Sequence, residues 1–71
     1  MEIILNGEPT IFAEEVVSIA RILEIKEVES PEMVSVQLNG NVVDRTNYGH
    51  TEVSDHDEVE FLYFMGGGNG R

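Results

Sequence analysis

Between Val16 and Leu23 the chain sets Val16, Ile19, Ala20 and Leu23 at i, i+3, i+4 and i+7. That spacing makes one apolar stripe along one side of a helix. Ser18, Arg21 and Glu24 take the opposite side, and Lys26 falls near the helix C-terminus, where positive charge is favourable. Glu14 and Glu15 would open the helix: their charge suits its N-terminus, although neither is among the best caps. No second stripe of this kind follows, and the helix should end before Ser30-Pro31 because the residue before a proline avoids the α region. A single amphipathic helix cannot bury its own stripe, so the rest of the chain must supply a sheet for it to lie on.

The remainder reads as strands. Glu2 to Leu5 is a short apolar run, followed by Asn6-Gly7 and then Thr10 to Ala13. Asn-Gly tolerates positive φ at both positions, so this segment reads as a hairpin, with Pro9 at a strand start where no ladder donor is needed. Val34, Val36 and Leu38 alternate with Ser35 and Gln37, which marks a half-buried strand. Asn39-Gly40 repeats the turn signal before a short strand at Asn41 to Val43. Arg45 to Val53 is polar and mixed and reads as an irregular connection; Asp55-His56-Asp57 is a turn. Val59 to Met65 is the last strand. The expected fold is α+β, a β-grasp roll with a mixed sheet of four to five strands packed on one main helix. Residues 1–65 form the domain, and residues 66–71 form a flexible glycine-rich tail.

With 71 residues, the chain has room for one domain and little room to enclose an active site. Fourteen acidic residues oppose four basic ones, for a net charge of −10. Such a surface repels nucleic acid and anionic lipid and favours a basic protein partner. The chain has no cysteine, so neither a disulfide nor a thiolate metal site is possible. No signal sequence and no membrane-length apolar run are present, so a cytoplasmic location is expected. His50 and His56 lack converging partners, and Asp55-His56-Asp57 reads as a turn rather than a metal site. No nucleophile–base pair is visible, and the glycine run opens no helix, so it is not a nucleotide loop. The chain is expected to be a carrier, not an enzyme, and to bind no metal or cofactor itself.

Four segments together resemble the ThiS family of sulfur carriers and, more distantly, the MoaD carriers. They are Ile3-Ile4-Leu5-Asn6-Gly7, the helix stripe, Val36-Gln37-Leu38-Asn39-Gly40-Asn41-Val42-Val43-Asp44-Arg45, and Asp57-Glu58-Val59-Glu60-Phe61 leading to Gly66-Gly67-Gly68. The resemblance implies a ubiquitin-like β-grasp carrier. Its terminal glycine carboxylate is adenylated by a ThiF-like enzyme that uses ATP. A sulfur donor then converts it to a thiocarboxylate, and a thiazole synthase takes the sulfur for thiamine. It places the family's diglycine on Gly67-Gly68, with Gly68 as the reacting residue and Gly66 and Gly67 as the thread behind it. A tail without Cβ atoms can pass a narrow channel in any backbone conformation.

Two positions depart from the family pattern. Asn69-Gly70-Arg71 follows the diglycine, so a peptidase is expected to remove these residues before Gly68 can react. His56 stands between two aspartates where the family often has glycine; histidine is among the non-glycine residues enriched at positive φ. Arg45 and Tyr48 match residues common in the family and are read as bracing the local loop. Period-two alternation in the last strand sends Val59, Phe61 and Tyr63 to one face and Glu60, Leu62 and Phe64 to the other. With Val59, Phe61, Ile3 and Leu5 in the core, Ile4, Leu62 and Phe64 form an apolar partner-binding patch on the open face. Two other functions remain open: a sulfur carrier for another product, such as cysteine, homocysteine or a thio-siderophore, and a ubiquitin-like interaction or modifier domain.

Overall fold

The computed structural model describes residues 1–63. Strand β1 spans Glu2–Leu5 and β2 spans Glu8–Ile11. Asn6 and Gly7 join them with φ of 53° and 84°, the pair of positive angles a two-residue I′ turn requires. That turn sets Glu8 directly opposite Leu5, so β2 begins earlier than the expected Thr10 and ends at Ile11. Pro9 lies within this edge strand opposite Ile4. The Ile4 N–H points the other way, to the Asp57 carbonyl at 3.0 Å, so the missing proline donor leaves no gap on β1.

The helix begins later than its stripe suggests. Val16–Ser18 is a strand, β3, and α1 runs only from Ile19 to Ile25. Val17 pairs with Val53 of β6, Glu52–Ser54, and both valines are buried. Two adjacent β-branched residues suit a strand better than a helical first turn. The cap is therefore Ser18, whose Oγ accepts the Arg21 N–H at 3.1 Å, and not Glu14 or Glu15. The buried stripe becomes Ile19, Ile22 and Leu23, with Ala20 half-buried and Val16 exposed.

The connection expected to be irregular completes that cap. Arg45–Asn47 forms a 3-10 turn, and the carbonyls of Tyr48 and Thr51 accept the N–H groups of Ala20 and Ile19, each at 3.0 Å. Three N–H groups that a helix start leaves without intrahelical partners are thus satisfied. At the other end, Glu27 has a φ of 56° and donates its N–H to Glu24, while Val28 donates to Leu23. This is a Schellman ending with glutamate where glycine is usual.

The main sheet has the order β2-β1-β7-β4-β5. Here β4 is Val34–Leu38, β5 is Asn41–Val43 and β7 is Glu58–Tyr63. β1 and β7 run parallel and the other pairs antiparallel, so the sheet is mixed with five strands and one α-helix, as a β-grasp requires. β3 and β6 form a separate two-stranded sheet that was not expected. Ile3, Leu5, Val34, Val36, Val59 and Phe61 line the covered face, and Phe12, Tyr48 and Val53 extend the same core. Expected tail residues 66–71, and Phe64 and Met65 of the expected last strand, lie outside the described residues.

Candidate functional site

Strand β7 is central, and side chains from two Asn-Gly turns hold it in place. The Asn6 Oδ1 accepts the Phe61 N–H at 2.7 Å. The Asn39 Oδ1 accepts the Glu58 N–H at 2.9 Å, and its Nδ2 donates to Asp57 at 3.1 Å. Each Asn-Gly turn therefore both reverses its own hairpin and ties down β7. The Asp55-His56-Asp57 turn docks on β1: the Asp55 carboxylate accepts the Glu2 N–H at 2.7 Å, and the His56 N–H donates to the Glu2 carbonyl at 2.8 Å. His56 has a φ of 73°, the left-handed value expected where the family has glycine. Its imidazole is exposed and reaches only Asp55. Among the described residues no three acidic or imidazole groups converge to hold a metal.

Val59 and Phe61 are buried on the helix side, while Glu60 and Leu62 face outward. Leu62 is 43% exposed, and Ile4 is half-buried on the same open face. The structure does not bring these two together. Ile4 is level with Glu58, and Leu62 lies four residues further along, beside Ser35. At ~3.3 Å per residue and ~4.8 Å between strands, they stand roughly 14 Å apart. Glu60 occupies the stretch between them, next to Gln37. Phe64, the third member of the expected patch, lies outside the described residues, as do Gly66, Gly67 and Gly68.

The apolar residues that do gather stand at the end of β7. Six large apolar side chains are exposed among the described residues, and three of them, Met33, Leu62 and Tyr63, surround this end. Met33 closes the 3-10 turn Pro31–Met33, immediately before Val34, and Val34 pairs with Tyr63. Tyr63 alternates toward the helix side but is 57% exposed, because the covered face has run out by that point. Sequence reasoning did not find Met33; only the β4–β7 register places it there.

Arg45 and Tyr48 brace the approach to this end. The Arg45 guanidinium donates to the Glu32 carbonyl, and the buried Tyr48 hydroxyl donates to the Val34 carbonyl at 3.3 Å. Both bonds fix the backbone leading into β4, against which β7 pairs. Among the described residues no charged side chain is buried, and no helix is long and apolar enough to cross a membrane. The geometry presents a firmly held strand whose described part ends at Tyr63.

The ThiS family model matches residues 3–68. The fold superposes on a crystal structure of the thiamine biosynthesis protein ThiS from Geobacter metallireducens with a TM-score of 0.85. That match has 43% identity and covers 96% of this chain and 100% of the other. A solution structure of a thiamine biosynthesis protein from the same organism gives a TM-score of 0.80 and 42% identity, covering 100% of this chain and 92% of the other. No curated protein matches the chain.

Proposed function

The chain belongs to the ThiS family, and on that premise we propose that it is a sulfur carrier working through the carboxylate of Gly68. The carrying observation is where the family match ends: at Gly68, the second residue of the Gly67-Gly68 pair, with Asn69 next in the chain. In the proposed cycle a ThiF-like enzyme joins the Gly68 carboxylate to the α-phosphate of ATP and releases pyrophosphate. A sulfur donor then displaces AMP and leaves a thiocarboxylate. A thiazole synthase takes the sulfur for the thiazole ring of thiamine, and water restores the carboxylate. The chain itself binds no cofactor in this scheme; ATP belongs to the partner. Gly66 and Gly67 thread the partner's channel, since residues without Cβ meet the least steric resistance there.

In this sequence the Gly68 carboxyl is tied up in the bond to Asn69. A peptidase must hydrolyse that bond before adenylation can occur. This extra requirement also favours a second reading, a sulfur carrier for a product other than thiamine, because a carrier opened by cleavage can serve a separately controlled pathway.

Intact mass after incubation with the adenylating enzyme, ATP and a sulfide source tests the scheme. A chain ending at Gly68 should exchange one oxygen for sulfur, and the chain with Gly68–Asn69 intact should not. Sulfur uptake by the uncleaved chain would overturn the cleavage step. No uptake by either form would overturn the carrier reading. A covalent adduct to a lysine of another protein would replace it with a modifier function.

A further inference from the structure

The proposed chemistry limits where a partner can sit. Five residues separate Tyr63 from the Gly68 carboxyl, so even fully extended they span at most ~17 Å. An enzyme that encloses that carboxylate must therefore lie against the surface around Tyr63. That surface has two sides. Leu62 faces the open side of the sheet. On the helix side, a groove of about 350 Å³ runs between the end of α1 and the end of β7. Val28, Met33 and Tyr63 give it apolar walls, and Lys26, Glu27 and Glu29 border it.

Both ends of the groove are held in place. The Schellman bonds of Glu27 and Val28 to Glu24 and Leu23 fix one wall. The Val34–Tyr63 pairing, with Arg45 and Tyr48 holding the backbone before β4, fixes the other. A preformed groove of mixed lining, with an exposed tyrosine and methionine on its apolar walls, is the kind of site that takes an anchoring side chain. Glu27 and Glu29 outweigh Lys26 by one charge, which favours basic groups beside that anchor.

We propose that this helix-side groove is a second docking surface for the enzyme that activates Gly68. An apolar side chain of the partner seats between Val28, Met33 and Tyr63, and basic groups face Glu27 and Glu29. The end of β7 is then gripped from both faces of the sheet. This inference rests on the carrier function proposed above.

Calorimetric titration of the full chain into the ThiF-like adenylating enzyme tests it, with amide shifts followed by NMR. Tyr63→Ser and Met33→Ser, both at exposed positions, should each weaken binding about tenfold or more. Ile11→Ser, on the far edge strand, should leave binding unchanged. The Val28 and Glu29 amide signals should move when the enzyme is added. Unchanged affinity for both groove variants, with those signals still, would overturn the groove while leaving the carrier function intact. A wild-type dimer that Tyr63→Ser dissociates would assign the groove to a second copy and overturn the proposal. If the wild-type chain neither binds the enzyme nor takes up sulfur once cleaved at Gly68, the carrier function itself falls, and this inference with it.

Discussion

Asn39 offers a way to measure how firmly β7 is held. It does two separable things. Its backbone sits at a φ of 52°, and its side chain bonds both the Glu58 N–H and the Asp57 carboxylate. Replacing it with glycine keeps the backbone angle accessible and removes the side-chain bonds. Replacing it with alanine removes the bonds and also places a Cβ in the left-handed region. Both bonds are solvent-exposed, so each contributes about 0.5 kcal/mol, the low end for a net hydrogen bond. Asn39→Gly should therefore cost about 1 kcal/mol. Asn39→Ala should cost about 1 kcal/mol more, from the unfavourable φ.

A domain of this size loses about 4–8 °C of melting temperature per kcal/mol. Asn39→Ala should thus melt about 8–16 °C below wild type, and Asn39→Gly about 4–8 °C below it. Thermal denaturation followed by far-UV circular dichroism reads both values. If the two variants melt together, the positive φ carries no cost and the turn argument fails. If Asn39→Gly melts with wild type, the side-chain ties to β7 contribute nothing. Asn6 provides an internal comparison, because it combines a φ of 53° with a bond to Phe61 in the same way.

Two further substitutions test other parts of the account. Glu27→Gly should raise stability by about 0.5 kcal/mol, since it relieves a left-handed glutamate at the helix end without removing the backbone bonds there; a lower urea midpoint would contradict this. Leu62→Glu places another carboxylate on the open face near Glu60, in a chain already carrying a net charge of −10. It should leave the melting temperature within a few degrees of wild type, because Leu62 is exposed, yet abolish ATP-dependent activation of Gly68; activation at the wild-type rate would remove the open face from the interface.

What was legible in the sequence was what local chemistry decides. Asn6-Gly7 and Asn39-Gly40 announced their turns because few dipeptides tolerate two positive φ angles, and both appear where expected. The alternation of Val59, Glu60, Phe61 and Leu62 correctly sorted β7 into a buried and an open side. What needed a distant partner was not legible. Val16 fits a helical stripe as well as a strand, and only the pairing of Val16–Ser18 with Glu52–Ser54, more than thirty residues on, decides for the strand. The polar stretch from Arg45 onward looked unstructured because its work is done by backbone carbonyls, which leave no trace in side-chain pattern. The open-face assignment of Ile4 and Leu62 was sound, yet their separation depends on the parallel β1–β7 register, which no local signal encodes.

The same distinction bears on the role proposed for the end of β7. No charged side chain is buried among the described residues of the folded body. What it does offer is a fixed point of departure. β7 pairs on both sides, receives side-chain bonds from Asn6 and Asn39, and at its far end meets a β4 start braced by Arg45 and Tyr48. Under the proposed carrier function, the Gly68 carboxylate acts within ~17 Å of Tyr63 and of the surface around it. Under the proposed carrier function, each residue that a partner fixes in its channel costs roughly 1 kcal/mol or more, which contacts with the folded body would offset. Exposed Met33, Leu62 and Tyr63 stand where such contacts are within reach, and the charge around them sets the sign of the surface they meet.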